Sequence, residues 1–164
     1  GNIGRTCVAS GCSLHLIEPM GFRINEKTVK RAGLDYWDQL DLTMHDSYQH
    51  FCSYYKEEMA KEPEMLKRKP KIFMATTKAA RTYADVEYQP GDYIMFGKES
   101  AGIPEEILVQ HEAECIRIPM VGEMRSLNLS NSVAIVLYEA LRQNRFHEMN
   151  TEGHLHRLNW NYEK

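Results

Sequence analysis

The 164-residue sequence lacks a CxxC pair, a G-x-G-x-x-G fingerprint, an internal repeat and a Gly/Ser-rich linker. It also lacks any apolar stretch near the roughly 18–20 residues that a membrane-spanning helix needs. Its longest clean run, Val133-Ala134-Ile135-Val136-Leu137-Tyr138, is far too short. No secretory signal and no Arg-rich transit segment opens the chain. The expectation is a soluble, cytoplasmic protein with no membrane partner. The four cysteines, at 7, 12, 52 and 115, then read as reduced and mostly buried thiols. The seven histidines are scattered, and the closest pair, His154-x-His156, lies in a polar tail, so no metal is expected. A net charge of −3 excludes a protein that coats nucleic acid by bulk attraction. It leaves room for local basic patches, at Arg23 to Arg31 (with Lys27 and Lys30) and at Lys61 to Lys71 (with Lys67, Arg68 and Lys69). The chain begins with Gly1 rather than Met, and the expectation is that upstream residues are missing from it.

What is present is a globular composition, 43% hydrophobic and 26% charged, of a length suited to one domain over 1–164. Apolar patterning predicts a helix over Ile3–Ser10 closed by Gly11, and a strand at Leu14–Ile17. Asn25 is expected to cap a helix over Glu26–Ala32, closed by Gly33. Asp41–Thr43 reads as a short strand, and Asp46 as the cap of a helix running to about Lys61. Lys71–Thr76 and Tyr93–Phe96 read as strands, the latter as a buried parallel one. Pro104–Gln110 follows as a helix with proline at its first position. Cys115–Ile118 is expected as a strand, and Leu129–Arg145 as a long helix with Val133, Val136, Leu137, Ala140 and Leu141 inward. Alternation of this kind implies an α/β fold, a mostly parallel sheet with helices on both faces.

Ligands of such sheets sit beyond the C-terminal strand ends. Three strands here end in small or polar residues: Thr76-Thr77-Lys78, Gly97 to Gly102, and Pro119 to Asn128. The second contains G-x-x-x-x-G but no following Lys-Ser or Lys-Thr, so it is not a phosphate loop. Glu105 and Glu106 just beyond would repel a phosphate. A neutral adenosine or a positively charged ligand suits the loop better; a plain tight turn is the other reading. Ser126-Leu127-Asn128-Leu129-Ser130-Asn131-Ser132 places five hydrogen-bonding side chains at a helix start. Ser126 or Asn128 can serve as the cap, and the surplus points to a site.

Several segments together resemble the SPOUT methyltransferases: Gly1-Asn2-Ile3-Gly4-Arg5-Thr6-Cys7, Leu14-His15-Leu16-Ile17-Glu18-Pro19-Met20-Gly21-Phe22, Arg31-Ala32-Gly33-Leu34-Asp35-Tyr36, Phe96 to Pro104, and Ile118-Pro119-Met120 through Ser126 to Asn131. The resemblance runs from Gly1 to about Gln143. It is strongest to the small enzymes of that family that methylate the wobble nucleotide of leucine tRNAs, cytidine or a modified uridine, on the ribose 2′-oxygen. It implies a C-terminal trefoil knot, S-adenosylmethionine as methyl donor, and a homodimer with the active site across its interface. It also implies a cofactor pocket of Ala75, Gly97, Ile118 and Ser126, with Met120 and Leu127 nearby. The methyl-transfer site it implies is Arg5, supported by Ser126, Asn128 and Tyr138. The family begins with a strand and a Pro/Asn-containing loop ahead of the first Gly-Asn, which this chain lacks, and the Lys61–Lys71 stretch is longer than in the family's shortest members.

A ribose hydroxyl needs a base or a charge stabiliser before it attacks. A guanidinium is ordinarily always protonated, which favours Arg5 as stabiliser of the forming alkoxide over Arg5 as base. RNA contact is expected from the two basic segments with Arg142 and Arg145, and the partner is expected to be a tRNA anticodon loop. Other readings are methylation of another tRNA or ribosomal RNA position, a catalytically silent RNA-binding module of the same fold, and a doubly wound small-molecule binder.

Overall fold

Helix α1, Asn2–Ser10, ends where a glycine lets it end. Gly11 takes the left-handed conformation at φ 70°, and the N–H groups of Gly11 and Cys12 bond back to the carbonyls of Val8 and Cys7. This paired closure satisfies carbonyls that the helix leaves open. The computed structural model describes residues 1–19, 35–61 and 68–161. The expected helix over Glu26–Ala32, the basic segment Arg23–Arg31 and part of the Lys61–Lys71 segment lie outside the described residues.

Strand β1, Leu14–Ile17, pairs in parallel with β2, Leu42–His45, in the register Leu14↔Leu42 to Ile17↔His45. The second strand therefore begins one residue later and runs further than the expected Asp41–Thr43. The three-stranded sheet has the order β4-β3-β5, with β3 at Ile72–Ala75, β4 at Tyr93–Phe96 and β5 at Cys115–Ile116, all parallel. The buried strand is the central β3, while β4, on the edge of this sheet, is half-buried along its length. A strand flanked on both sides can be apolar throughout. Ile118 lies beyond the ladder, because Arg117 leaves it to bridge Thr82.

Helix α2, Tyr48–Lys61, starts on Ser47, not on Asp46. Ser47 Oγ accepts from His50 N–H at 3.0 Å, and its carbonyl accepts from Phe51 N–H. Those are the two bonds of an N-cap, and Asp46 is one residue too early to make them. Helix α3 is only Glu105–Leu108, with Pro104 as its N-cap rather than its first residue; a 3-10 segment, Val109–Glu114, follows and breaks at His111. Helix α4, Leu129–Gln143, ends two residues before the expected Arg145. Tyr88 N–H donates to Gln143 Oε1, Gln143 Nε2 donates to the Val86 carbonyl, and Asn144 Nδ2 to the Tyr88 carbonyl. These bonds fix the helix end to the chain before β4, and Arg145 turns away with φ 60°.

Alternation along β3 feeds two cores. Ile72 and Met74 pack with Phe51 of α2, Leu108 of α3, Ile103 and Cys115. Phe73 packs with Ile116, Tyr88 and Val136 of α4. Helix α1 packs on α4. All four cysteines are free thiols, two buried and two half-buried. Burial, and then the neighbouring Cys12, push the Cys7 thiol up to about 11, so it stays protonated near neutrality.

His15 and His45 both sit below the usual imidazole range, chiefly because burial disfavours their charged forms. Unfolded histidines titrate near 6.5. Below that pH the unfolded chain binds protons that the fold refuses, so stability falls as pH drops from about 6.5 towards the folded values and is level above it. Urea midpoints measured from pH 7.5 to 5.0 should show this decline, with a weaker slope in His45→Gln than in the parent chain.

Candidate functional site

The C-terminal ends of β3, β4 and β5 lie side by side, since Ala75 is paired with both Phe96 and Ile116. Thr76 N–H continues the alignment by donating to the Ile116 carbonyl at 2.9 Å. Beyond β4 the chain folds back at once. Lys98 and Gly102 form an antiparallel bridge, and Gly102 N–H donates to the Lys98 carbonyl at 2.8 Å. Gly97 sits under this turn. A Cβ there would stand 2.1 Å from Gly102 C and 2.2 Å from Ile103 N, both backbone atoms. Only glycine allows that crossing.

Ala75 and Ile118 both pack on the cluster around Ile116 and Val136, as does Phe96, the residue before Gly97. The structure thus brings together Ala75, Gly97 and Ile118 of the expected pocket. Met120 is half-buried on the following loop, and Ser126 and Leu127 are exposed. Val121 and Met124 are also exposed on that loop.

At the start of α4, Asn128 is the cap: its Oδ1 accepts from Ser130 N–H, Asn131 N–H and Ser130 Oγ, while Ser132 Oγ donates to the Asn128 carbonyl. Much of the polar string is therefore accounted for by helix capping, and Ser126 stands outside it. Asn128→Ala should lower stability by about 1 kcal/mol, read as a shift of the denaturation midpoint at unchanged slope.

Arg5 projects from α1, exposed, with its guanidinium 5.3 Å from the centre of the Tyr36 ring. Tyr36 donates its hydroxyl to the Gly1 carbonyl, and its ring lies against Gly4, where a Cβ would come within 3.2 Å. Tyr36 thus seats the first turn of α1 and carries the guanidinium on its face. Tyr138, on α4, opens into a cleft of about 870 Å³ shared with Val8–Ser10 of α1, Gly11 and Phe146–Thr151. Arg5 and Tyr138 sit on two helices that pack together.

One link was not legible in sequence. Lys78 Nζ, after β3, pairs with Glu105 at 2.8 Å, in the first turn of α3. It joins two of the three loops. The hydrogen bond and charge of Lys78 hold the Glu105 carboxyl below its usual range. Both groups are exposed, and the residues stand 27 apart, so no local pattern announces the pair.

Among the described residues no group of three or more His, Cys, Asp or Glu is arranged to hold a metal, and no helix is long and apolar enough to cross a membrane.

Residues 1–138 match the profile of the SpoU rRNA methylase family. The tRNA (cytidine(34)-2′-O)-methyltransferase of Escherichia coli K12 is 46% identical over 144 residues, 87% of this chain and 84% of that protein. A solved structure described as giving insight into 2-OH methylation of C/U34 on tRNA superposes with a TM-score of 0.72 at 38% identity, covering 88% of this chain and 81% of that one. An AdoMet-bound rRNA methyltransferase from Sinorhizobium meliloti shares the fold, with a TM-score of 0.69 at 23% identity over 86% of this chain and half of its own.

Proposed function

The chain belongs to the SpoU rRNA methylase family, and on that premise we propose that it methylates the ribose 2′-oxygen of the wobble nucleotide, cytidine or a modified uridine, in leucine tRNAs. It is an RNA ribose 2′-O-methyltransferase whose methyl donor is S-adenosylmethionine. The observation that supports the cofactor assignment is the cradle after β4, where three strand ends lie side by side and the turn over 98–102 folds back against Gly97. Glu106, with Glu105 in its pair with Lys78, occupies the first turn of α3 and disfavours a polyphosphate there. When bound, the donor supplies a methyl group on a positively charged sulfur, already activated for in-line displacement.

The chain's own residues do the rest. Ala75, Gly97, Ile118 and Ser126, with Met120 and Leu127, hold the donor, largely through main chain. Arg5 stabilises the negative charge that develops on the 2′-oxygen, and Asn128, Ser126 and Tyr138 orient the ribose. The hydroxyl proton leaves to solvent as the 2′-oxygen takes the methyl carbon, and the carbon–sulfur bond that breaks would leave its electron pair on the donor's sulfur, which becomes neutral. A second copy of the chain completes the site: Ile135 and Tyr138 on α4, with Val121 and Met124, are exposed in the single chain, and a homodimer would cover them. The sheet carries helices on both faces, and the C-terminal part of the chain forms a trefoil knot. The enzyme acts in the cytoplasm on the anticodon loop, aided by Arg142, Arg145 and the two basic segments, with affinity that falls as salt rises.

Incubation with labelled donor and total tRNA, followed by digestion and mass spectrometry, tests the activity. A 2′-O-methylated wobble nucleoside from leucine tRNAs is expected; label in DNA or protein but not in RNA overturns it. Arg5→Lys separates the roles of the guanidinium. Loss of at least about a hundredfold at every pH is expected, since an ammonium cannot reproduce the planar fork; retained activity rising steeply with pH would instead make residue 5 the base.

A further inference from the structure

Strands β1 and β2 and helix α2 meet at three imidazoles. His15 Nδ1 lies 2.9 Å from His45 Nε2, and His45 Nδ1 lies 3.0 Å from His50 Nδ1. The contacts use opposite nitrogens of His45, so the rings form a chain and not a converging set of ligands. His45 is 0% exposed, His15 is half-buried, and His50 faces water. The His15 and His45 rings are nearly parallel, 15° apart, with centroids 5.2 Å apart, as a contact through ring nitrogens requires. Phe51 and Tyr54 of α2 flank both rings, and Tyr93 of β4 flanks His15. Burial disfavours a charge on both His15 and His45; Asp41, before β2, and Glu58, on α2, oppose this at His15, whereas His15 and His50 add to it at His45.

Counting protons shows what this chain can hold. Each of the two contacts needs one proton between its two nitrogens. Three neutral imidazoles carry three protons: two lie in the contacts and one on an outer nitrogen. A fourth proton fills the other outer nitrogen and leaves both contacts intact. A fifth has no place except inside a contact, where two N–H groups would face each other at about 3 Å in a cluster that carries two positive charges.

We propose that His15, His45 and His50 form a proton-counting latch that ties β1, β2 and the first turn of α2 together while it carries at most one extra proton, and that releases His50 when a second proton arrives. His50 is the ring that leaves because it is the exposed one, while Phe51 and Tyr54 flank the other two. Its release loosens the first turn of α2, where His50 N–H is bonded to Ser47 Oγ. The latch is independent of the methyl-transfer reading.

The full-length chain, labelled with nitrogen-15 in its histidines, tests this by NMR between pH 8 and pH 5, with amide-exchange protection followed in parallel. Two separate uptake steps are expected for the three rings. Protection at Phe51 to Tyr54 should fall at least tenfold with the second step, while β1–β2 amides keep theirs. His50→Gln, at an exposed position, should remove both the second step and the loss of protection. Ser47→Ala should lower protection of the same turn at every pH without altering its pH dependence. Three independent titrations in the ordinary imidazole range would overturn the latch. So would an unchanged profile in His50→Gln, or simultaneous opening of β1 and β2.

Discussion

Gly97→Ala is expected to abolish binding of the methyl donor, with affinity down at least a hundredfold by calorimetry, and to lower stability by about 1–3 kcal/mol. The cause is steric. The added carbon would lie 2.1 Å from Gly102 C, 2.2 Å from Ile103 N and 2.6 Å from Gly102 Cα. No rotamer change relieves a clash with backbone, so either the end of β4 or the turn over 98–102 must move. That turn is closed by its own hydrogen bond from Gly102 to Lys98, and its displacement would deform the cradle assigned to the donor. Gly11→Ala is the control. Gly11 has φ 70°, but nothing lies within 4 Å of where a Cβ would stand, so its substitution strains the backbone by about 1 kcal/mol and should leave donor affinity unchanged. Equal affinity in the parent and Gly97→Ala would remove the loop after β4 from the donor site.

Asp92→Ala should destabilise the fold by roughly 2–4 kcal/mol, the loss expected when a buried carboxylate that holds a partly exposed guanidinium and two backbone N–H groups is removed. At about 2–4 °C per kcal/mol for a chain of this size, the melting temperature should drop by about 10 °C. The Asp92 side chain is 4% exposed. Its Oδ1 accepts from Arg68 Nη1 and Lys71 N–H, each at 2.8 Å. Its Oδ2 accepts from Arg68 Nη2 at 2.7 Å and Gln89 N–H at 2.9 Å. Alanine would orphan two backbone donors and leave the guanidinium, which lies over the Phe73 ring, only its bonds to the Lys69 and Glu87 carbonyls. The network stands where the β3–β4 ladder begins, with Tyr93 N–H donating to the Lys71 carbonyl. It therefore helps fix the register that sets Ala75 beside Phe96 at the opposite, functional end. Asn at 92 should cost less than Ala, since it keeps one acceptor. Thermal and urea unfolding that showed less than about 1 kcal/mol lost in Asp92→Ala would mean that Arg68 and the backbone donors find other partners.

Much of the architecture was legible from residue order, and the errors have common causes. The end of α1 at Gly11 and the strands at 14–17 and 93–96 followed from punctuation and apolar runs. Starts and stops failed where a tertiary contact decided them. Helix α4 ends at Gln143 because Gln143 and Asn144 bond to the chain around Val86 and Tyr88, more than fifty residues away. The strand at 115 stops early because Arg117 is drawn to Thr82. Ser47 displaced Asp46 as cap because both residue types cap well and spacing alone does not choose between neighbours. At the site, Ala75, Gly97 and Ile118 lie at neighbouring strand ends, while the side chains of Asn128, Ser130 and Ser132 bond within the first turn of α4.

Local chemistry by itself determined which segments bury a face, which residues break them, and which ordered motifs tie the chain to its family, since periodicity and motif order are properties of neighbours along the chain. Folding alone decided that Gly97 lies against the backbone at 102–103, that Lys78 meets Glu105, that Asp92 gathers Arg68 with two backbone donors, and that three histidines from β1, β2 and α2 form one chain. Each of these depends on the path the backbone takes through space, and charge, hydrogen bonding and steric exclusion act over a few ångströms irrespective of how many residues intervene.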